Sequence, residues 1–308
     1  MDSLKLINFM ENLRYDRKIT QENYLHGVIS QRQYYRYRSG ESEIPFEVIT
    51  KFADKLNIPI SRLLEKFDDE LSNEKQTTLI FFNLVAAHEI DKAYLEYQKM
   101  KNHTFISKVN ENFFKCSKLL LDFYHNRIYK SDVVSGIYQI LDYPKVMKKT
   151  AFPDDEIYML GLLMDFSDKD RKRILKKLYE VVQNQGSLLG GNVTAEFRVY
   201  FWMIKNFGRN EQFAEVVDMC ERAIKKCNMY FMHYLLEYFH YYKALAHLRL
   251  GEQDLFEMHL EQAILNLQHR TNAMKKKFYD QILKDTGIDA IQFAIDRFKK
   301  IYEPNTNE

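Results

Sequence analysis

Apolar residues recur at helical spacing along nearly the whole chain. Leu4, Ile7, Met10 and Leu13 form one apolar stripe near the N-terminus, and the same periodicity continues from 76 to 302. Only ten glycines and five prolines interrupt it, which favours long helices over strands joined by tight turns. The pattern therefore predicts an all-α protein.

Residues 20–40 predict two short helices joined by a tight turn. Thr20 can cap the first helix, and Gly27 interrupts it. Ser30 and Gln33 stand at capping-box spacing, so a second helix that begins at Gln31 is well specified. A short capped helix after a tight turn is what a helix-turn-helix unit requires.

The apolar residues that follow extend this first domain to about residue 68. Val48, Phe52 and Leu56 form one stripe on a fourth helix, and Ser61 can cap a short fifth helix. Five short helices within residues 1–68 predict a helix-turn-helix domain of the Cro/repressor-like type.

The rest of the chain predicts helical hairpins. The polar stretch 69–76 is interpreted as a linker, or as the capped start of a longer helix, and 303–308 as a tail. Polar turns fall near His88, Asn126, Ser167, Gly208, Gly251 and Gly287. These turns lie 38, 41, 41, 43 and 36 residues apart. A loose repeat of this length predicts that 77–302 form a right-handed α-solenoid.

The clearest repeat covers residues 241–264 and resembles a tetratricopeptide repeat. Ala244 stands where two helices would touch, Gly251 at the turn and Ala263 late in the second helix. Other repeats depart from this pattern, so the hairpins are described as degenerate and tetratricopeptide-like. A non-repetitive helical bundle is the alternative.

Composition and charge narrow the class of protein. Hydrophobic residues make up 46% of the 308 residues, which is enough for a buried core, and the net charge is only +2. The three cysteines have no framework spacing, so we expect a reducing compartment and buried thiols at Cys220 and Cys227. Neither a secretion signal nor an apolar run of membrane-spanning length is evident, and we expect a cytoplasmic protein with no membrane partner.

The second helix of the helix-turn-helix unit carries side chains suited to DNA. Between Arg14 and Arg38 there are six basic and two acidic residues, although a solvated basic face is the plainer interpretation. Tyr34 and Tyr37 should face the core. The residues expected to read bases are Gln31, Arg32, Tyr35 and Arg36. The residues expected to contact phosphates are Arg17, Lys18, Thr20, Gln21, Arg38 and Ser39.

A curved solenoid presents a concave groove, and the region 194–249 is rich in aromatic and amide groups that suit an extended peptide. The residues expected on the concave side are Arg198, Trp202, Asn206, Tyr238 and Tyr241. Arg198 could meet a peptide carboxylate. The alternative is that the aromatic residues belong to the core.

Metal and catalytic sites find no support in the sequence. His233, His240 and His247 are seven residues apart, or about 10.5 Å along one helix, too far for one ion to bridge neighbours. No phosphate-binding glycine loop, metalloprotease helix or nucleophile elbow is present. We expect neither a cofactor nor enzymatic activity.

Taken together, the two parts resemble the RRNPP regulators of Gram-positive bacteria and their phages, which are cytoplasmic receptors for short signalling peptides. Within that family the first 67 residues are most similar to the Rgg and PrgX-like branch. The segments that carry the resemblance are 20–25, 27–30, 40–44 and 52–64. One departure is Arg38, which stands where many Cro-like domains have a glutamate.

The resemblance implies a peptide-sensing transcription regulator that binds a double-stranded operator as a homodimer. Helix-turn-helix proteins usually bind two half-sites, and the apolar positions between 278 and 301 suit either a cap on the solenoid or a dimer surface. Two alternatives remain open: a solenoid that binds a partner protein, and an adaptor in which the small domain is only an anchor.

Overall fold

The computed structural model describes residues 3–183 and 193–302, where the chain forms α-helices and two short 3₁₀ helices but no strand. The all-α prediction is confirmed. The helices form two compact units, the first ending at Tyr143 and the second beginning at Pro144. None of the described helices is long and apolar enough to cross a membrane. The predicted tail at 303–308 lies outside the described residues.

The first unit contains eight described helices, of which α5 is the longest. Its helices are α1 (Ser3–Asp16), α2 (Gln21–Leu25), α3 (Gln31–Arg38), α4 (Phe46–Lys55), α5 (Ile60–Ala86), α6 (Ile90–Met100), α7 (Lys108–Tyr124) and α8 (Lys130–Leu141). The first four helices and the start of α5 reproduce the predicted helix-turn-helix domain. Pro59, rather than the expected Ser61, precedes α5 as its N-cap residue.

Aromatic rings form the centre of the helix-turn-helix core. Tyr24 and Phe52 stack with their ring centroids 4.5 Å apart, and Tyr34 meets both rings edge-on. All three rings are fully buried. On α1, Met10 is buried as predicted, whereas Leu4 is 37% exposed. The buried face of α1 is therefore rotated slightly from the predicted stripe.

The fifth helix is far longer than predicted. α5 runs through 69–76 without a break, so the linker interpretation of that stretch is wrong. The stretch contains neither glycine nor proline, the two residues that most destabilise a helix, so nothing in it stops α5. Its inward positions, Leu71 and Glu74, pack against neighbouring elements. The alternative interpretation was that a longer helix starts in this stretch. The longer helix is present, but it begins earlier, at Ile60.

Glu74 is a buried carboxylate in the middle of α5. It accepts hydrogen bonds from the backbone N–H groups of Ile106 at 2.7 Å and Ser107 at 3.0 Å. The Asn110 side chain donates at 2.8 Å, and His103 Nε2 lies 3.2 Å away. Ser107 precedes α7, so the carboxylate satisfies amides at a helix N-terminus. Because Ile106 also packs in the helix-turn-helix core, this loop joins that core to the first hairpins.

The second unit consists of helix pairs. Its helices are η1 (Lys145–Lys148), α9 (Asp154–Phe166), α10 (Arg171–Gln183), α11 (Val193–Arg209), α12 (Phe213–Met229), α13 (Leu236–Leu250), α14 (Gln253–Asn266), η2 (Leu267–His269), α15 (Asn272–Thr286) and α16 (Ala290–Tyr302). Consecutive helices from α11 to α14 pack on one another, and α9 packs against both α10 and α11.

The six predicted turns each separate two helices of a pair, in both units. Five of these turns contain a residue with φ between 57° and 79°, the left-handed conformation that ends a helix: His88, Asn126, Glu211, Gly251 and Gly287. Gly208 itself lies in the last turn of α11, three residues before the left-handed position. The hairpin organisation predicted from these turns is confirmed.

All three cysteines are buried and lie outside any disulfide, and the prediction of buried thiols at Cys220 and Cys227 is confirmed. Burial raises the pKa of the Cys227 thiol to about 12, so it stays protonated at neutral pH. The Cys220 thiol has a raised pKa for the same reason.

We expect Glu74→Gln to lower the free energy of unfolding by roughly 3 kcal/mol at neutral pH, because an amide sets donors against buried N–H groups. Burial alone raises the pKa of Glu74, but the hydrogen bonds from His103 and Asn110 and from the backbone outweigh burial and lower it. The carboxylate therefore stabilises the fold above its unfolded pKa of about 4.3, and the contribution is lost as the pH falls through the folded value.

Urea unfolding of the wild type and the variant across this pH range measures the effect. The control is Glu70→Gln, one turn earlier on the exposed side of α5. Equal losses for the two variants, or a Glu74→Gln effect that does not shrink in acid, would contradict the assignment.

Candidate DNA interface and groove

Side-chain caps position the two helices of the helix-turn-helix unit. The Thr20 hydroxyl accepts from the backbone N–H of Asn23 at 3.3 Å, and the Ser30 hydroxyl accepts from that of Gln33 at 3.2 Å. Both caps were predicted. The Gln33 side chain donates to Ser42 instead of reaching back to Ser30, so the capping box is only half formed. The start of α3 is nevertheless well defined.

The α3 helix presents one polar side to solvent. Tyr34 and Tyr37 are buried, as predicted, while Tyr35 is 53% exposed. The four residues predicted to read bases are all exposed: Gln31, Arg32, Tyr35 and Arg36. Gln31 Nε2 donates to the Tyr35 hydroxyl at 3.4 Å. These side chains line one side of an open concavity.

A carboxylate on α1 organises the inner side of α3. Glu11 accepts from Arg14 Nη2 at 2.7 Å and Nε at 2.8 Å, and the Tyr34 hydroxyl also donates to it. Arg38 Nη1 lies 3.4 Å from the same carboxylate. Burial raises the pKa of Glu11, but hydrogen bonds from Arg14 and Tyr34 outweigh burial and lower it. Arg14 also donates to the Ile19 carbonyl, so α1, the turn after it and α3 share one network.

Arg38 shows how the fold accommodates the departure noted in the sequence. Arg38 pairs across helices with the Glu11 carboxylate on α1. The Arg38 side chain is 40% exposed, so the guanidinium contacts Glu11 and solvent together. Its predicted role at a phosphate stays a prediction.

The other residues predicted to contact phosphates lie on the surface of the same domain. Arg17, Lys18, Thr20 and Ser39 are exposed, and Gln21 is half-buried as the first residue of α2. Lys18 has a φ of 56° in the turn after α1. Their phosphate contacts stay predictions.

Three of the five residues predicted for the groove are part of the core instead. Trp202 and Tyr241 are each 4% exposed, and Asn206 is fully buried. The Trp202 ring covers Gly161, where an added Cβ would lie 2.3 Å from the indole. Asn206 Nδ2 donates to the Trp202 carbonyl at 2.8 Å, and the Tyr241 hydroxyl donates to Asp285 at 2.7 Å. The prediction that these three face a groove is wrong.

The accessible side of α11 is one residue out of register with the prediction. Phe201 and Lys205, next to Trp202 and Asn206, are partly exposed, and so is Arg198. Consecutive residues on a helix are about 100° apart, so an error of one position moves a side chain from groove to core. The sequence offers aromatic residues at both 201 and 202, which makes the two registers hard to tell apart.

Aromatic rings and cations meet on this side of α11 and α13, which we call the α11–α13 face. It comprises Arg198, Phe201, Lys205, Tyr238 and Tyr242. The Phe201 ring meets Tyr238 edge-on at 5.4 Å and Tyr242 at 5.9 Å. Arg198 Nε donates to the hydroxyl of Tyr234, which lies before α13, at 2.5 Å. Arg198 and Tyr238 are thus the two predicted groove residues that remain accessible.

A cavity of about 770 Å³ continues the face toward the ends of α11, α13 and α15. Its apolar lining includes Ile204, Phe213, Val216, Tyr242, Leu245 and Ala246. Its charged lining comprises Lys205, Arg209, Glu211, Arg249, Lys284 and Asp285. Lys205 and Arg209 share Asp165 at 2.9 and 3.0 Å. Arg249 and Lys284 are exposed and have no ion-pair partner within the described ranges. Sequence reasoning missed Lys205, Tyr242 and Arg249 at this site.

The histidines of α13 pair with α14 and do not form a metal site. His240 Nδ1 lies 3.2 Å from His259 Nδ1, and His247 Nδ1 lies 2.5 Å from a Glu252 oxygen. Burial lowers the pKa of His240 and of His259 to about 4, so both rings are neutral at ordinary pH. Across residues 3–183 and 193–302, no three histidine, cysteine or acidic side chains are grouped to hold a metal ion.

The fold is shared with solved structures that contain DNA and a peptide. PlcR of Bacillus thuringiensis, in complex with the peptide PapR7 and DNA, is similar with a TM-score of 0.58 and 14% identity, over 91% of this chain and 99% of that one. ComR from S. thermophilus, in complex with DNA and its signalling peptide ComS, has a TM-score of 0.55 and 12% identity, over 92% and 100% of the two chains. No protein-family model matches the chain, and no curated protein sequence does either. The resemblance expected from the sequence is confirmed at the level of the fold.

We expect Trp202→Ala to lower the free energy of unfolding by about 3–5 kcal/mol, because it removes a buried ring that Gly161 is shaped to accept. The matched control is Phe201→Ala, the neighbouring aromatic residue on the accessible side, for which a much smaller loss is expected. Thermal and urea unfolding of the full chain measure both. Similar losses for the two variants would mean that the accessible side of α11 is assigned wrongly.

Proposed function

We propose that this protein is a transcription regulator that binds an operator through α3 and a short peptide through its second unit. The observation that carries the proposal is the exposed polar side of α3, with Gln31, Arg32 and Arg36 at solvent on a helix capped at Ser30. Solved proteins with the same fold were crystallised with DNA and signalling peptides, which supports both halves of the proposal.

Base reading follows from the chemistry of α3. Arginine pairs bidentately with guanine, and glutamine with adenine, in the major groove. Gln31 and Arg32 are the first two residues of α3, the end of a recognition helix that contacts base edges. Tyr35 adds a ring that can contact a thymine methyl group. The phosphate contacts of Arg17 and Lys18 would hold the domain on the duplex but carry no sequence information.

Peptide binding follows from the α11–α13 face and its adjoining cavity. The rings of Phe201, Tyr238 and Tyr242 provide an apolar floor for peptide side chains. Arg249 and Lys284 also line the cavity, and both are exposed cations without a described partner. The occupant that fits is a short peptide with apolar side chains and at least one carboxylate, which can be its own C-terminus.

The proposed mechanism is a population shift between arrangements of a homodimer. A peptide that binds one arrangement more tightly changes the spacing of the two recognition helices, and so the affinity for a two-part operator. On α16, Ile291 is 58% exposed and Ile295 is 43% exposed, which leaves apolar side chains available to a second copy.

The test begins with selection of duplexes from a randomised DNA pool by the full-length protein. A recovered two-part motif supports the DNA half of the proposal. Calorimetry against short apolar peptides, with and without a carboxylate, then tests the peptide half. Recovery of no motif would remove α3 as a DNA reader, and a motif without peptide binding would favour a protein partner for the second unit.

We expect Arg32→Ala to weaken binding to the selected operator by roughly 1–3 kcal/mol, the range for one good base contact. Its binding to a mixed-sequence duplex should change much less. The control is Arg62→Ala, another exposed arginine, at the start of α5, which pairs with Glu65. Titrations at one fixed salt concentration measure both. Equal weakening on the two duplexes would make Arg32 a phosphate contact only.

We expect the double variant Arg249→Gln, Lys284→Gln to bind an acidic peptide roughly tenfold or more weakly than the wild type, because two unpaired cations are lost. The same peptide with a neutral amide in place of its carboxylate should bind both proteins alike. Arg222→Gln with Lys225→Gln on α12 removes the same charge away from the cavity and serves as the control. Calorimetry on the full chain measures the difference. Equal weakening by the control pair would indicate a general charge effect.

A further inference from the structure

We propose that Glu41 determines the sequence specificity of α3, by orienting Arg36 and by weakening contact with DNA of the wrong sequence. This inference rests on the proposed binding of DNA by α3. Glu41 follows the helix and belongs to neither of the two predicted sets of DNA-contacting residues.

The turn after α3 holds Glu41 beside Arg36. The Glu41 backbone N–H donates to the Arg36 carbonyl at 2.9 Å, and the Ser39 hydroxyl donates to the same carbonyl at 3.1 Å. Gly40 has a φ of 78°, which turns the chain back over the end of the helix. The position of the Glu41 backbone relative to Arg36 is therefore set by the fold.

The side chains of the two residues meet at the surface. Arg36 Nε lies 3.7 Å from Glu41 Oε2, and the two side chains are 49% and 64% exposed. An exposed pair of this kind adds little to stability. The same side of the domain presents Gln31, Arg32, Tyr35, Arg36, Arg38, Ser39 and Glu41 around one open concavity. Glu41 is the one acid among these seven residues.

A carboxylate at this place opposes contact with DNA in general. Phosphates repel it, and the affinity of proteins for DNA of any sequence comes mostly from neutralised phosphates. The position therefore weakens binding unless the carboxylate has a partner in the complex. Arg36 is that partner, since it already forms an ion pair with Glu41 and lies on the helix that would enter the groove.

The pair separates right sequences from wrong ones. When Arg36 contacts a guanine edge, Glu41 keeps its ion pair with the guanidinium, so the charge of the Glu41 carboxylate stays neutralised. On a wrong sequence Arg36 gains most by turning to a phosphate, which breaks the pair and leaves Glu41 facing the backbone. The carboxylate thus costs more on wrong DNA than on right DNA, which is a difference of affinities and so a gain in specificity.

Arg38 on the same helix provides a contrast. Its carboxylate partner is Glu11, whose side chain is 15% exposed and bound to Arg14 and Tyr34. That acid lies inside the domain, where it connects helices. Glu41 is 64% exposed, and Arg36 is its ion-pair partner within the described part of the chain.

The experiment selects duplexes from a randomised pool with the full-length wild type, Glu41→Gln, Arg36→Gln and the double variant. Titrations at one fixed salt concentration then compare the selected operator with a mixed-sequence duplex. Glu43→Gln is the control, because it makes the same charge change two residues later at an exposed position outside the concavity.

We expect Glu41→Gln to raise affinity for the mixed duplex by roughly two- to fivefold, while the ratio of operator to mixed affinity falls by roughly tenfold. The motif should lose definition at the same base pairs as with Arg36→Gln, and the double variant should resemble Arg36→Gln alone. Glu43→Gln should leave the ratio unchanged.

Three results would overturn the proposal. One is an equal change of operator and mixed affinity in Glu41→Gln, which indicates only a general charge effect. Another is loss of definition at different base pairs from Arg36→Gln, which indicates that Glu41 reads a base independently. A wild type that selects no motif would overturn both this inference and the DNA half of the proposed function, whereas the first two results leave that function intact.

Discussion

The first unit depends on one buried carboxylate, that of Glu74. It lies in the middle of α5, whose first half packs in the helix-turn-helix core and whose second half packs on α7. Two backbone amides and two side chains converge on it from the loop before α7 and from the first turn of that helix. A charge in such a place is tolerated only when every lone pair finds a donor, so removal of its partners would leave a strongly unfavourable buried ion.

The helix-turn-helix domain also has a carboxylate that joins helices, that of Glu11. It accepts hydrogen bonds from Arg14 and Tyr34 and pairs with Arg38, and it thereby joins α1 to α3. The consequence for function is geometric. With Tyr34 held inward by its hydroxyl and its ring, the next residue must point outward, and so the polar side of α3 faces solvent. The inner contacts of α3 thus determine what its outer side presents.

Local signals in the sequence were sufficient for much of this architecture. Thr20 and Ser30 were recognised as caps because capping involves residues three positions apart. The six hairpin turns were recognised because polar and glycine residues interrupt apolar helices.

The features that the sequence did not reveal depend on contacts between distant residues or on the exact rotation of a helix. The partners of Glu74 lie about thirty residues along the chain, and nothing near residues 69–76 announces them. On α11 the predicted groove was wrong by one residue, because Phe201 and Trp202 are both aromatic and the sequence does not show that Trp202 packs against Gly161.

The continuity of α5 also constrains how a peptide signal can act. A flexible linker at 69–76 would let each helix-turn-helix domain reorient independently. Instead, 27 helical residues form one continuous helix of about 40 Å, whose first half packs in the helix-turn-helix core and whose second half packs on α7. Since Glu74 ties the middle of α5 to the start of α7, the helix-turn-helix domain is held against the first hairpins. Within the proposed function, the recognition helices of a dimer therefore change their spacing only when whole first units move relative to each other. If the first unit is rigid, a peptide can change the affinity for the operator only through the arrangement of the two copies. A monomer should then bind its half-site equally well with and without peptide.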